Sequence, residues 1–102
     1  MEFLQQGDVL IKPRPVPREA VKVDDCVLMH GEATGHAHRL DGEGFTVFEH
    51  PKTKRKHLRI VKSGVMLRHE EHKAFEVPPG EYVVEGVREY DHFDEEARRV
   101  AD

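Results

Sequence analysis

What this sequence lacks narrows it first. Cysteine is nearly absent: Cys26 stands alone in 102 residues, which leaves no intramolecular disulfide and no thiolate-rich zinc site. No apolar run approaches the length that crosses a bilayer, and the opening MEFLQQGD has no basic-then-apolar signal pattern. A cytoplasmic protein without a membrane partner is therefore expected. Also missing are a G-x-S-x-G elbow, a phosphate loop and a dinucleotide fingerprint, so no motif supports a nucleotide-binding class. Net charge is −4 with histidines neutral, which disfavours general attraction to nucleic acid or membrane for the molecule as a whole. Apolar residues, at 37%, barely outnumber the 35% that are charged. They nevertheless fall in short clusters, so the chain reads as folded. Its length fits one modest core, and residues 1–102 are expected to form a single small β domain.

Those clusters alternate with turn chemistry. Gly7 releases a β-rich run over residues 8–12, closed by Pro13, Pro15 and Pro17, which cannot donate to a ladder and mark an edge or a rim loop. Val21 and Val23 alternate with charged residues. Residues 26–29 are continuously apolar, as in a strand buried on both faces, with Cys26 expected as a core thiol. Asp41-Gly42-Glu43-Gly44 gives a hairpin signal, with residues 45–48 returning. Residues 57–61, 65–68, 74–77 and 82–87 bring the total to about eight short strands, the pattern of a small sandwich, barrel or jelly roll. Residues 94–100 run from acidic to basic, the charge order of a helix with Asp94 as N-cap, so one short C-terminal helix is expected.

Histidine carries the chemistry. There are eight, and four come in two close pairs. His36 and His38 are two apart, so on a strand both rings leave one face. His69 and His72 are three apart, which brings them together on a helical turn, a bulge or a tight turn. Four imidazoles complete a first shell for zinc and also suit iron, nickel, copper or, less well, manganese. Four would close a structural site, whereas three leave a position for water or substrate. Glu70 and Glu71, between the second pair, are the candidates to take a proton from a metal-bound water or to hold a ligand imidazole. The stretch is not H-E-x-x-H, because its second histidine comes one residue early.

His36-x-His38 followed by Glu43 resembles the first metal motif of cupins, small β-barrels that hold a metal inside a jelly roll, and Pro78-Pro79-Gly80 resembles the P-x-G turn of their second motif. The likeness implies a cupin-like barrel over roughly residues 31–83. Gly31 lies one residue too close to the pair, and Val83 stands where the second motif has histidine, so the later ligand would come from His69 or His72. The succession QQGDVLI, GEATGHAH, HEEH, PPGEY and REYD also looks like a family of small uncharacterised bacterial proteins, and it spans nearly the whole chain. That likeness implies that residues 31–38 and 69–72 act as one unit. It brings no activity with it.

A second class of function comes from residues 50–62, which carry six cations and no acid. Lys52, Lys54, Arg55, Lys56 and Arg59 on a hairpin would track a phosphate backbone or hold an anion, with Phe45 and Phe48 nearby to stack on bases. The acidic tail is the competing partner for this patch, within one chain or between copies in a homo-oligomer. The sequence thus predicts an all-β domain holding a divalent transition metal through His36, His38, His69 and His72. It is either a metal-dependent hydrolase or related acid/base enzyme on a small anionic substrate, or a structural-metal domain that binds nucleic acid or protein.

Overall fold

A computed structural model describes residues 3–30 and 35–86. The expected C-terminal helix at residues 94–100 lies outside these, as do residues 31–34 of the first glycine-rich turn. Ten strands form among the described residues, in chain order β1 (Leu4–Gln6), β2 (Val9–Pro13), β3 (Val21–Val23), β4 (Val27–His30), β5 (Ala37–Asp41), β6 (Phe45–Glu49), β7 (Lys56–Ile60), β8 (Met66–Arg68), β9 (Phe75–Glu76) and β10 (Gly80–Gly86). No described helix is long and apolar enough to cross a membrane. Two antiparallel sheets result, one ordered β1-β2-β10-β7-β6-β3 and the other β4-β5-β8-β9. The fold is an all-β sandwich, as the short alternating runs predict.

The core lies between the sheets. Val9, Ile11, Val47, Leu58, Ile60, Tyr82 and Val84 meet Leu28, Leu40, Val65, Leu67 and Val77. Each strand supplies alternate residues to this layer, because successive side chains point to opposite faces. On β5 the inward positions are His38 and Leu40, both buried, while Arg39 and Asp41 face out. One member of the apolar stripe is thus an imidazole.

Two local expectations are corrected and a third is narrowed. Asp41-Gly42-Glu43-Gly44 is not a hairpin: Asp41 pairs with Met66 and Phe45 with Ile60, so the segment carries the chain from one sheet to the other. A second crossing, between β7 and β8, packs against it. Val61 N–H donates to the Gly44 carbonyl at 2.7 Å. A Cβ on Gly44 would stand 2.6 Å from Lys62 Cβ, so the glycine that imitates a hairpin turn serves a close approach of two crossings. Residues 26–29 are not buried on both faces, and Cys26 is exposed. β4 is an edge strand, and a register shift between Val27 and Met29 spoils its alternation, leaving Leu28 as its buried residue. The prolines open a rim loop but mark no edge, since β2 lies between β1 and β10 and ends at Pro13.

This topology brings the functional candidates to one end. β1 ends, β2 begins, β10 ends and β7 begins at the same end of the larger sheet, because Gln6 pairs with Val9, Val9 with Gly86, and Val83 with both Lys12 and His57. Gly7 at that end touches His72, and Gly86 touches Met29 of β4. The β8–β9 loop, the start of β5 and the β6–β7 tip therefore share one rim.

Candidate histidine site

The site is built from the edge inward. Gln6 closes β1 and is 3% exposed, a polar side chain in an apolar layer. Its Nε2 donates to the Leu67 carbonyl at 2.9 Å and the Lys73 carbonyl at 3.1 Å. Two carbonyls at that position fix the amide's orientation, because a flipped amide would face them with its own oxygen. Oε1 is left 2.9 Å from His38 Nδ1 and accepts a hydrogen bond from it. The neutral His38 ring is thereby set with hydrogen on Nδ1 and a free electron pair on Nε2, the state a metal ligand needs.

His38 packs against His69 and His72, and His69 in turn reaches His36. The His38 ring centroid is 4.3 Å from that of His69 and 6.0 Å from that of His72. His69 lies 4.7 Å from His72 and 5.7 Å from His36. Burial pushes the His38 imidazolium down to about 4, reinforced by His69 and His72, with Asp8 and Glu70 working weakly the other way. His36 is half-buried, and its Nδ1 is enclosed without a hydrogen-bond partner. Glu71 Oε1 is 3.8 Å away, too far for such a bond. A buried polar atom left unpaired costs about 1–3 kcal/mol, a cost that a water or a metal ion at this nitrogen would offset. Ligand atoms of His36, His69 and Glu70 lie within 4.8 Å of one another.

His69 and His72 sit on neither a helix nor a strand; they flank an exposed bend between β8 and β9. The bend is held from inside by His69 Nδ1, which accepts the Glu71 N–H at 3.0 Å. His72 lies over Gly7, where a Cβ would come 2.4 Å from its Nε2, and Gly7 has φ +55°. The turn favours glycine there, and a larger residue would displace the His72 ring.

The two glutamates have separate tasks. Glu70 accepts Ala37 N–H at 2.8 Å on one oxygen and Arg39 Nη1 at 2.6 Å on the other. Those bonds, the Ala37 amide first, hold its carboxyl down at about 2. It ties the β8–β9 loop to the start of β5, which brings the two histidine pairs together. Glu71 is exposed and faces His36. Glu43 is exposed in the crossing beyond the far end of β5, with about 10 Å of strand separating His38 from Asp41 at 3.3 Å per residue.

The basic stretch forms the tip of the β6–β7 hairpin. His50 organises it, its Nδ1 accepting the Lys52 and Thr53 amides at 3.1 and 3.2 Å. Three of its six cations face carboxylates: Arg55 lies 3.6 Å from Glu85, Lys56 3.6 Å from Asp25 and 3.7 Å from Glu49, and Arg59 2.9 Å from Glu81. Arg59 also lies over the Phe48 ring. Lys52 and Lys54 remain exposed at the tip. His57, which has no histidine close to it in sequence, is buried 6.4 Å from His50.

Sequence reasoning missed Gln6, Gly7 and Arg39. A glutamine two residues before an aspartate carries no signal of its own, because its role exists only once β1 pairs with β2 and closes over β8. No curated protein and no solved structure matches the chain, and cupin similarity is not shown. A family model does match, over residues 5–86, a span that holds Gln6 and both histidine pairs. The chain belongs to that family, the domain of unknown function DUF8820.

Proposed function

We propose that this domain binds one divalent transition metal ion, zinc by its nitrogen-rich donor set, at the histidine end of the sandwich. The observation that carries this reading is the grouping of His36, His69 and Glu70 within ligand reach of one another, with one nitrogen of His36 enclosed and unpartnered. The free electron pair of His38 Nε2 supports it. His36, His38 and His69 supply three nitrogens, and His72 and Glu70 compete for the fourth position. Loading has one local requirement. His69 Nδ1 accepts from the Glu71 amide, which puts the ring proton on Nε2, so neutral His69 gives up that bond to hold a metal, either through Nδ1 itself or through Nε2 once the proton has moved to Nδ1. The 69–72 bend is exposed apart from His69, and water can take over the amide at little cost.

With the fourth position held by water, the chemistry is metal-assisted hydrolysis of an anionic substrate, the metal lowering the pKa of that water toward 7. Glu71 handles the proton in this reading, because Glu70, held near 2, is too weak a base at neutral pH. Elemental analysis of protein purified without a histidine tag tests the site. About one equivalent of metal is expected, lost in His36→Ala/His38→Ala. An absence of metal in the wild type, even after reconstitution, refutes it.

A second reading keeps the metal structural and gives the binding role to the neighbouring tip. It is favoured by the position of Lys52 and Lys54 on the same rim as the histidines. Binding to a single-stranded oligonucleotide should then fall steeply with salt, and Lys52→Ala/Lys54→Ala should flatten the logarithmic salt slope by about 1 to 2. A slope unchanged by the double substitution removes this reading.

A further inference from the structure

Beside the histidine cluster lies a groove of about 550 Å³ lined by Arg39, Arg68, His69, Glu70, His72 and Cys26, among others. Its basic wall is a product of strand register. Arg39 of β5 and Arg68 of β8 are direct cross-strand partners, so two guanidinium groups leave the outer face of the smaller sheet side by side. Like charges set opposite each other oppose pairing. Here each has one carboxylate: Arg39 Nη1 donates to Glu70 at 2.6 Å, and Arg68 Nε to Asp41 at 2.8 Å. A guanidinium has five N–H donors. Among the described residues, both terminal nitrogens of Arg68 are left without a bond, and its side chain is 55% exposed.

We infer that this groove holds the oxyanion of the substrate, a phosphate or carboxylate group, between Arg68 and Arg39 and next to the metal position. This rests on the metal reading above. Arg39 and Arg68 are balanced by Glu70 and Asp41, so the ion supplies the net positive charge that draws an anion in. The guanidinium fork then fixes its orientation, since it matches two oxygens of one planar or tetrahedral group. The His69 and His72 rings line the same groove, which puts the bound anion within reach of the metal's open position.

The test is calorimetric titration of zinc-loaded protein with inorganic phosphate and, separately, with acetate, zinc content being measured on the same samples. The wild type is compared with Arg68→Ala and with Lys22→Ala, an exposed change on β3 at the far edge of the larger sheet. Arg68 has one described bond, to an exposed aspartate, so its removal leaves the fold intact. The expected result is binding weakened about tenfold in Arg68→Ala, unchanged in Lys22→Ala, with equal zinc in all three. The tighter of the two anions names the substrate's group. Equal affinity in wild type and Arg68→Ala, or no binding of either anion to zinc-loaded wild type, overturns the inference while leaving the metal reading standing. A wild type that takes up no zinc refutes the metal reading by its own measurement.

Discussion

Gln6→Leu should lower stability by about 4 kcal/mol, more than any change to the exposed residues of the site. Leucine fills the volume, so cavity formation contributes little. What it removes is three hydrogen bonds at one point. His38 Nδ1–H and the Leu67 carbonyl lose a partner in buried surroundings, and the Lys73 carbonyl loses one where water can reach. Each enclosed group left unpaired costs about 1–3 kcal/mol, and the wetter carbonyl less. Metal affinity should fall by about 10–100-fold in the same variant, as for other groups that orient a ligand imidazole. Gln6→Glu separates the two effects. A carboxylate still accepts from His38, but it cannot donate to either carbonyl, so stability suffers while the orientation of His38 survives. Urea denaturation and metal competition titrations measure the two quantities independently. A loss below about 1 kcal/mol in Gln6→Leu would mean that water replaces the amide and that His38 is not fixed by it.

The strands were legible because alternation is a local property. Residues 45–48, 57–61 and 82–86 each repeat an inward apolar position at every second residue, and one buried face per sheet enforces it. The crossing at Gly42–Gly44 was not legible, since glycines at positive φ serve a hairpin and a sheet-to-sheet corner equally well. Only the partners of Asp41 and Phe45, both distant in sequence, decide between them. The histidine pairs were found because each is close in sequence. What joins the pairs was hidden: Gln6, the Glu70 tie to Ala37 and Arg39, and the Gly7 seat of His72 all act across some thirty or more residues. For the basic stretch the sequence offers a phosphate backbone, an anion or the acidic tail as partner, whereas the sheet sets Glu81, Glu85, Glu49 and Asp25 against three of its six cations.

Acid should unfold the metal-free protein in two separable stages, and the first belongs to the imidazoles. In the unfolded chain His38 takes up a proton near 6.5, while in the fold burial and the neighbouring histidines hold that event down at about 4. The unfolded state therefore binds more protons across this interval. The contribution of His38 is complete above pH 6.5 and is lost as pH falls through 4, at most about 3 kcal/mol. His57, lowered chiefly by burial and then by His50, Arg14 and Arg55, adds a loss of the same sign below 6.5. Glu70 acts later. Its carboxyl is held at about 2 against the usual 4.5, so its contribution survives down to pH 4.5 and is lost toward 2. The measurement is urea stability at half-unit pH intervals, on wild type and on His38→Asn, whose side-chain amide can still donate to Gln6 without titrating. The variant should keep only the shallower His57 slope between 6.5 and 4, with the Glu70 stage unchanged. If wild type and variant fall in parallel across that interval, His38 is already charged in the fold, and its Nε2 carries a proton where a ligand needs an electron pair.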